Sequence, residues 1–150
     1  MWTSGADNEQ YEALLDQCAG TRQSIPERER HLAMQKWREV YAARYHATSG
    51  KWVRGNMEWH VLSFADFRVL RGARAEAAYQ SLQDTTYLVL PEEVQYPAYR
   101  VEGGKLPNLS DLGADMLVCP ADYSWTMAFT HEQEFGWGPF FCRSEWAEPK

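Results

Sequence analysis

The 150-residue sequence predicts an α+β fold in which N-terminal helices pack on one side of a mostly antiparallel sheet of about five or six strands. Two observations lead to this class. Helical apolar periodicity dominates the start of the chain, and short apolar or β-branched runs bounded by Pro and Gly follow it. Strands and helices do not alternate regularly, which argues against a parallel sheet. We expect a single domain, helical over 7–46 and sheet-rich over 57–142.

Two helices are predicted in the N-terminal part. Asp7 can cap the first helix, and Gly20 can end it. Ser24 and Glu27 form the capping box of a second, longer helix. Its apolar face consists of Met34, Trp37, Val40, Tyr41 and Tyr45. The glycine-containing segment 46–56 then has the composition of a loop, and the alanine-rich stretch 73–82 favours one further helix.

Six short runs have the composition of strands, and they lie at 59–64, 85–90, 99–101, 116–119, 125–130 and 140–142. The first run also fits a helix of the same span, and periodicity alone does not decide between the two. In the run 125–130, side chains alternate between the two faces of the sheet. Trp125, Met127 and Phe129 therefore face one side, where we expect them to join the core.

Charge is distributed unevenly along the chain. Residues 1–75 carry a net charge of +2, whereas residues 76–150 carry −8. An acidic surface repels phosphate backbones, so nucleic-acid binding is disfavoured and a basic protein partner is favoured. The sequence has neither an apolar run long enough to cross a membrane nor the pattern of a signal peptide, and we expect a cytoplasmic protein. The three widely spaced cysteines are expected to be reduced thiols.

Candidate catalytic groups follow the predicted strand 125–130. His131 can serve as a general base with Glu132 as its orienting group, or the two can fix a turn by hydrogen bonds. Adjacent residues of a strand point to opposite faces, so we expect these two to be poorly placed to act together. Metal-ligand spacings, nucleotide-binding fingerprints and nucleophile motifs are missing from the sequence, so we predict no metal, no cofactor and no catalytic residue.

Seven tryptophans are many for a chain of this length. We expect Trp37, Trp59 and Trp125 to be core residues, because tryptophan buries a large area. Trp52 and Trp137 lie in glycine-flanked segments, where exposure on a contact surface is as reasonable as burial.

Segments 59–64 (WHVLSF), 125–132 (WTMAFTHE) and 138–141 (GPFF) resemble the signatures of a bacterial domain-of-unknown-function family. The likeness covers about residues 57–142. Leu62 and Phe64 stand where the family has Phe and Tyr, and Phe140 stands where it has Tyr, which suits packing roles. The resemblance implies motif positions of unknown role at Trp59, His60, Trp125, Thr126, Thr130 and His131.

Small acidic domains without catalytic signatures also resemble bacterial immunity proteins, of the kind encoded beside toxins. We therefore expect a non-enzymatic immunity or inhibitor protein that blocks the active site of a cognate toxin or effector. The expected partner-binding residues are Glu92, Glu93, Asp111, Asp115, Asp122, Glu132, Glu134, Trp52 and Trp137. The alternatives are a small-molecule-binding domain or hydrolase-like enzyme with a His131/Glu132 pocket, and an adapter that carries an effector.

Overall fold

The structure of the protein is a computed structural model that describes residues 5–43, 46, 59–63, 65–83, 86–133, 136 and 138–148. The loop predicted at 46–56 therefore lies almost entirely outside the described residues. None of the described helices is both long and apolar enough to span a membrane.

Four α-helices and seven strands make up the described part of the chain. The helices are α1 (Gly5–Asp16), α2 (Glu27–Tyr41), α3 (His60–Ser63) and α4 (Ala73–Gln80). The strands are β1 (Thr21–Ser24), β2 (Leu70–Arg71), β3 (Thr86–Pro91), β4 (Tyr99–Glu102), β5 (Met116–Cys119), β6 (Trp125–Phe129) and β7 (Phe140–Arg143). Two short 3-10 helices lie at Ser110–Leu112 and Ser144–Trp146.

All seven strands belong to one sheet, in the order β1-β4-β3-β5-β6-β7-β2. Every neighbouring pair is antiparallel. The predicted α+β class with an antiparallel sheet is confirmed, with seven strands instead of five or six. The sequence misses the two outermost strands because β1 is mostly exposed and polar and β2 has only two residues.

Helices cover both faces of the sheet, not one face as expected. Tyr11 of α1 and Tyr79 of α4 pack with Val118 on one face. Trp37 of α2 and Leu62 of α3 pack on the other face. The physical reason is the composition of the central strands: every residue of β5 and β6 is buried, so neither face can be left in water.

The remaining elements largely follow the prediction. The runs at 85–90, 99–101, 116–119, 125–130 and 140–142 all form strands close to their predicted bounds. The strand predicted for the run 59–64 is wrong, and the helical alternative is correct, because residues 60–63 form α3. The predicted alternation in β6 is confirmed, since Trp125, Met127 and Phe129 all belong to the core on the α1 face.

Two side chains in the second half of α2 form hydrogen bonds with β6 and with the turn that precedes it. The Trp37 indole N–H donates to Thr126 Oγ1 of β6 at 2.8 Å, within the buried core. The Tyr41 hydroxyl donates to the Tyr123 carbonyl at 2.8 Å. Trp37, Trp59 and Trp125 are all buried, as predicted.

Cys18, Cys119 and Cys142 are free and buried, in agreement with reduced thiols. Burial raises the pKa of the Cys142 thiol to about 12 and raises the pKa of the Cys119 thiol still further. Both side chains are therefore protonated at neutral pH and behave as core residues.

The bond between Trp37 and Thr126 gives a test of how α2 is held. Trp37→Phe removes the donor and leaves a buried hydroxyl without it, so we expect a loss of about 1–3 kcal/mol in the free energy of unfolding. Thr126→Val removes the acceptor with little change of shape. In a urea-unfolding cycle, the double variant should be more stable than the sum of the two single losses predicts. Strict additivity would show that the bond contributes nothing.

Candidate functional site

Four acidic residues and one histidine lie together at one end of the sheet. Pairing of Pro91 with Met116, and of Met116 with Phe129, places the end of β3, the start of β5 and the end of β6 side by side. The residues that continue these strands are therefore neighbours in space. We call this region the acidic end, and it consists of Glu92, Glu93, Asp115, His131 and Glu132.

Asp115 and His131 form the centre of the acidic end. The Asp115 side chain is only 4% exposed, and its Oδ1 accepts hydrogen bonds from both the backbone N–H and the ring Nδ1 of His131, each at 2.8 Å. Asp115 Oδ2 lies 2.9 Å from the same ring nitrogen. A buried carboxylate needs such partners, because burial without them costs several kcal/mol. Asp115 thus fixes both the backbone and the ring of His131.

About two fifths of the His131 side chain is exposed, and its pKa is raised above the ordinary histidine value. The hydrogen bond with Asp115 has the largest influence and raises the pKa. Partial burial opposes this effect, and the negative charges of Asp115, Glu132 and Glu93 reinforce it. The imidazolium form is therefore retained to a higher pH than in an ordinary histidine.

Glu132 faces the other ring nitrogen of His131. Its Oε2 lies 4.0 Å from His131 Nε2, although adjacent strand residues would point apart. The strand geometry assumed for this pair is wrong, because β6 ends at Phe129 and both residues lie in the turn that follows. At 4.0 Å the two groups are within ion-pair range, but they form no hydrogen bond with each other. The pairing with Asp115, not the one with Glu132, is the close contact that fixes this turn.

The turn after β6 has further side-chain bonds. The Thr130 backbone N–H donates to Gln133 Oε1, and the Glu132 backbone N–H donates to Thr130 Oγ1. Gln133 also donates from Nε2 to the Ser110 hydroxyl at 2.8 Å, which connects the turn to the 3-10 helix at 110–112. The backbone that carries His131 and Glu132 is thus held at several points.

Aromatic rings lie behind His131. The Trp59 ring is stacked on His60 with centroids 3.9 Å apart, and on Phe140 with centroids 5.9 Å apart. Trp59 also meets the His131 ring edge to face at 6.0 Å. The motif residues Trp59, His60 and His131 therefore converge, with Trp59 as a buried packing residue between the other two.

Arg30 of α2 holds the connection from β3 to β4. Its guanidinium donates to the carbonyls of Tyr96 and Pro91, both at 2.6 Å, and to the carbonyl of Glu93 at 2.9 Å. The Glu92 backbone N–H donates to the Asp115 carbonyl at 3.0 Å. One arginine thereby satisfies three loop carbonyls and fixes the backbone beside His131.

The structure places the predicted partner-binding residues unequally. Glu93 and Glu132 are accessible at the acidic end, whereas Glu92 and Asp115 are buried there. Asp111 lies next to Ser110 and thus near the same turn, but Asp122 follows the far end of β5. Glu134, Trp52 and Trp137 lie outside the described residues. The motif threonines are buried: Thr126 binds Trp37 and Thr130 caps the turn.

Sequence reasoning missed two roles. Asp115 is predicted as one of several partner-binding carboxylates, yet it orients His131 from a distance of 16 positions in the chain. For Arg30 the sequence predicts no role, yet it binds a loop more than 60 positions away. The one local signal for the role of Asp115 is its position directly before an apolar strand.

The arrangement of Asp115, His131 and Glu132 allows few kinds of chemistry. With Asp115 on Nδ1, neutral His131 presents Nε2 as a proton acceptor beside Glu132. In the part of the chain that the structure describes, no three His, Cys, Asp or Glu side chains are arranged to hold a metal ion. The site therefore offers two accessible carboxylates and one orientated imidazole.

Fold and site together define an α+β protein whose antiparallel sheet is covered on both faces and carries at one end a buried aspartate paired with an exposed histidine. Residues 27–141 match the family described as a domain of unknown function (DUF4275), and the chain belongs to this family. The match begins with α2, which extends the likeness beyond the expected 57–142. Neither the curated proteins nor the solved structures include a match to this chain.

The pKa of His131 can be tested through Asp115. Asp115→Asn keeps an acceptor but removes the charge, so we expect the His131 pKa in an NMR titration to fall to its ordinary value of about 6.5 or below. A raised folded-state pKa stabilises the fold below the unfolded pKa, and this stabilisation is lost as pH rises through the folded pKa. The stability advantage of wild type over His131→Gln should therefore shrink on going from about pH 6 to alkaline pH. A pKa unaffected by Asp115→Asn would contradict this account.

Proposed function

We propose that this protein is an immunity-type inhibitor that binds a toxin or effector protein through the acidic end and blocks its active site. The observation that carries the proposal is the position of Glu93 and Glu132 and their lack of a basic partner in the described chain. Both act electrostatically on the exposed His131 ring, and within the described residues neither forms an ion pair with a lysine or arginine. Their charge is thus available to a basic partner.

Preorganisation supports the same proposal. Arg30 fixes the backbone of Glu93, and Asp115 fixes the backbone next to Glu132. A surface that is already ordered loses less conformational entropy on binding, which favours tight association. The excess of negative charge in the second half of the chain adds long-range attraction to a cationic cleft and accelerates encounter.

Charge reversal tests this proposal. In the double variant Glu93→Lys/Glu132→Lys, the rate of association with the cognate partner should fall by about tenfold at low ionic strength, and its salt dependence should weaken. The measurement is stopped-flow or surface-plasmon-resonance kinetics at several salt concentrations.

Glu145→Lys/Glu148→Lys is the matched control for charge. Both residues are exposed in or just after the 3-10 helix that follows β7, at the opposite end of the sheet, and their reversal should have a much smaller effect. Equal effects of reversal at the two ends would mean that net charge alone matters. An unchanged rate in the double variant would refute the role of the acidic end.

A second candidate is a small-molecule-binding or hydrolase-like site around His131 and Glu132. The observation that favours it is the bond of Asp115 to Nδ1, which directs Nε2 outward as orientated catalytic histidines require. His131→Gln should then abolish ligand binding or turnover without loss of protein-partner affinity. The third candidate, an effector adapter, predicts a bound partner that stays active, and a toxin-protection assay separates it from inhibition.

A further inference from the structure

The loop between β3 and β4 exposes an apolar side chain at its tip. Val94 is 85% exposed, more than Leu32 at 53%, which is the other exposed large apolar residue of the described chain. A single exposed apolar side chain is ordinary on a protein surface. The significance of Val94 therefore depends on how its loop is built and on what surrounds it.

The loop around Val94 is held firmly, although its tip is exposed. The three carbonyls bound by Arg30 belong to Pro91, Glu93 and Tyr96 and so lie on both sides of Val94. The Tyr96 backbone N–H closes the turn on the Glu93 carbonyl, and the Tyr96 ring is buried edge to face against Tyr11 at 5.4 Å. The loop thus presents Val94 in one backbone conformation.

Negative charge lies directly beside this apolar tip. The Glu93 carboxylate accepts a hydrogen bond from Gln95 Nε2 at 2.7 Å, which orders both side chains that flank Val94. Glu93 also acts electrostatically on His131, so the tip adjoins the exposed part of the acidic end. The surface combines a fixed apolar projection with carboxylates around it.

We propose that residues 92–96 form a preformed docking tip, in which Val94 inserts into an apolar socket that is rimmed by Lys or Arg side chains on the partner protein. This inference rests on the proposed function and names the anchor of that interface. Interface anchors are apolar groups that enter a pocket, whereas the surrounding charges contribute steering and specificity. Because the loop is already ordered, such insertion costs little conformational entropy.

The test compares Val94 with Leu32. The wild-type protein is used to isolate its partner from a lysate of the source organism, and the purified partner is then titrated with Val94→Ser, Leu32→Ser and Glu93→Lys/Glu132→Lys. We expect Val94→Ser to weaken the Kd by about tenfold or more, mainly through faster dissociation, and Leu32→Ser to leave it unchanged. Both positions are exposed, so neither change threatens folding.

The outcomes separate the inference from the function. If Val94→Ser binds like wild type while the double charge reversal weakens binding, the docking tip is wrong and the inhibitor proposal stands. If neither changes affinity, or if wild type retains no basic partner, both fail.

The preformed state of the loop is tested without a partner. Arg30→Lys keeps the charge but cannot reach three carbonyls, so hydrogen exchange at the Glu92 and Tyr96 amides should accelerate, whereas Val94→Ser should not change it. Unchanged exchange in Arg30→Lys would overturn the preorganised loop. Circular dichroism of the variant shows that the rest of the fold is retained.

Discussion

Burial of the sheet on both faces is the constraint from which the rest of the structure follows. Antiparallel sheets commonly keep one face in water, but β5 and β6 have no residue that is exposed. Their side chains fill two separate cores, one under α1 and α4 and the other under α2 and α3. Polar side chains have no room along these strands, so they concentrate where the strands end. The position of the candidate site is thus a consequence of packing.

Several polar groups in or beside this interior are paired, whereas the buried Trp59 Nε1 has no hydrogen-bond acceptor among the described residues. Thr126 of β6 accepts the Trp37 indole N–H, which positions α2 over the sheet. Because α2 is positioned, Arg30 on the same helix reaches the loop after β3. Asp115, buried before β5, likewise takes its partners from His131. These bonds link the core to both segments that flank the acidic end, so the order of the surface derives from the pairing of buried groups.

The sequence predicts elements whose information is local. The apolar run 116–119 forms β5 with all four residues buried, as a short apolar run followed by proline favours. Residues 59–64 carry the same kind of apolar run, yet residues 60–63 form a helix, since Trp59 packs between His60 and Phe140 in tertiary contacts that periodicity does not encode. For the acidic end, the sequence predicts only the excess of acidic residues in the second half of the chain. That Asp115 is buried and Glu93 is only partly buried depends on strand register, which one sequence does not display.

The pKa of His131 separates the two main functional interpretations. A general base must be deprotonated when it acts, and its pKa is best near the working pH. Here Asp115, Glu132 and Glu93 all favour the protonated ring and raise its pKa, whereas partial burial opposes them. When protonated, His131 also attracts Glu132, whose Oε2 lies 4.0 Å from Nε2, whereas the closer bond with Asp115 fixes the turn. By favouring the imidazolium, the surrounding carboxylates reduce the population of the neutral ring that a general base requires, and this supports the proposed binding role over catalysis.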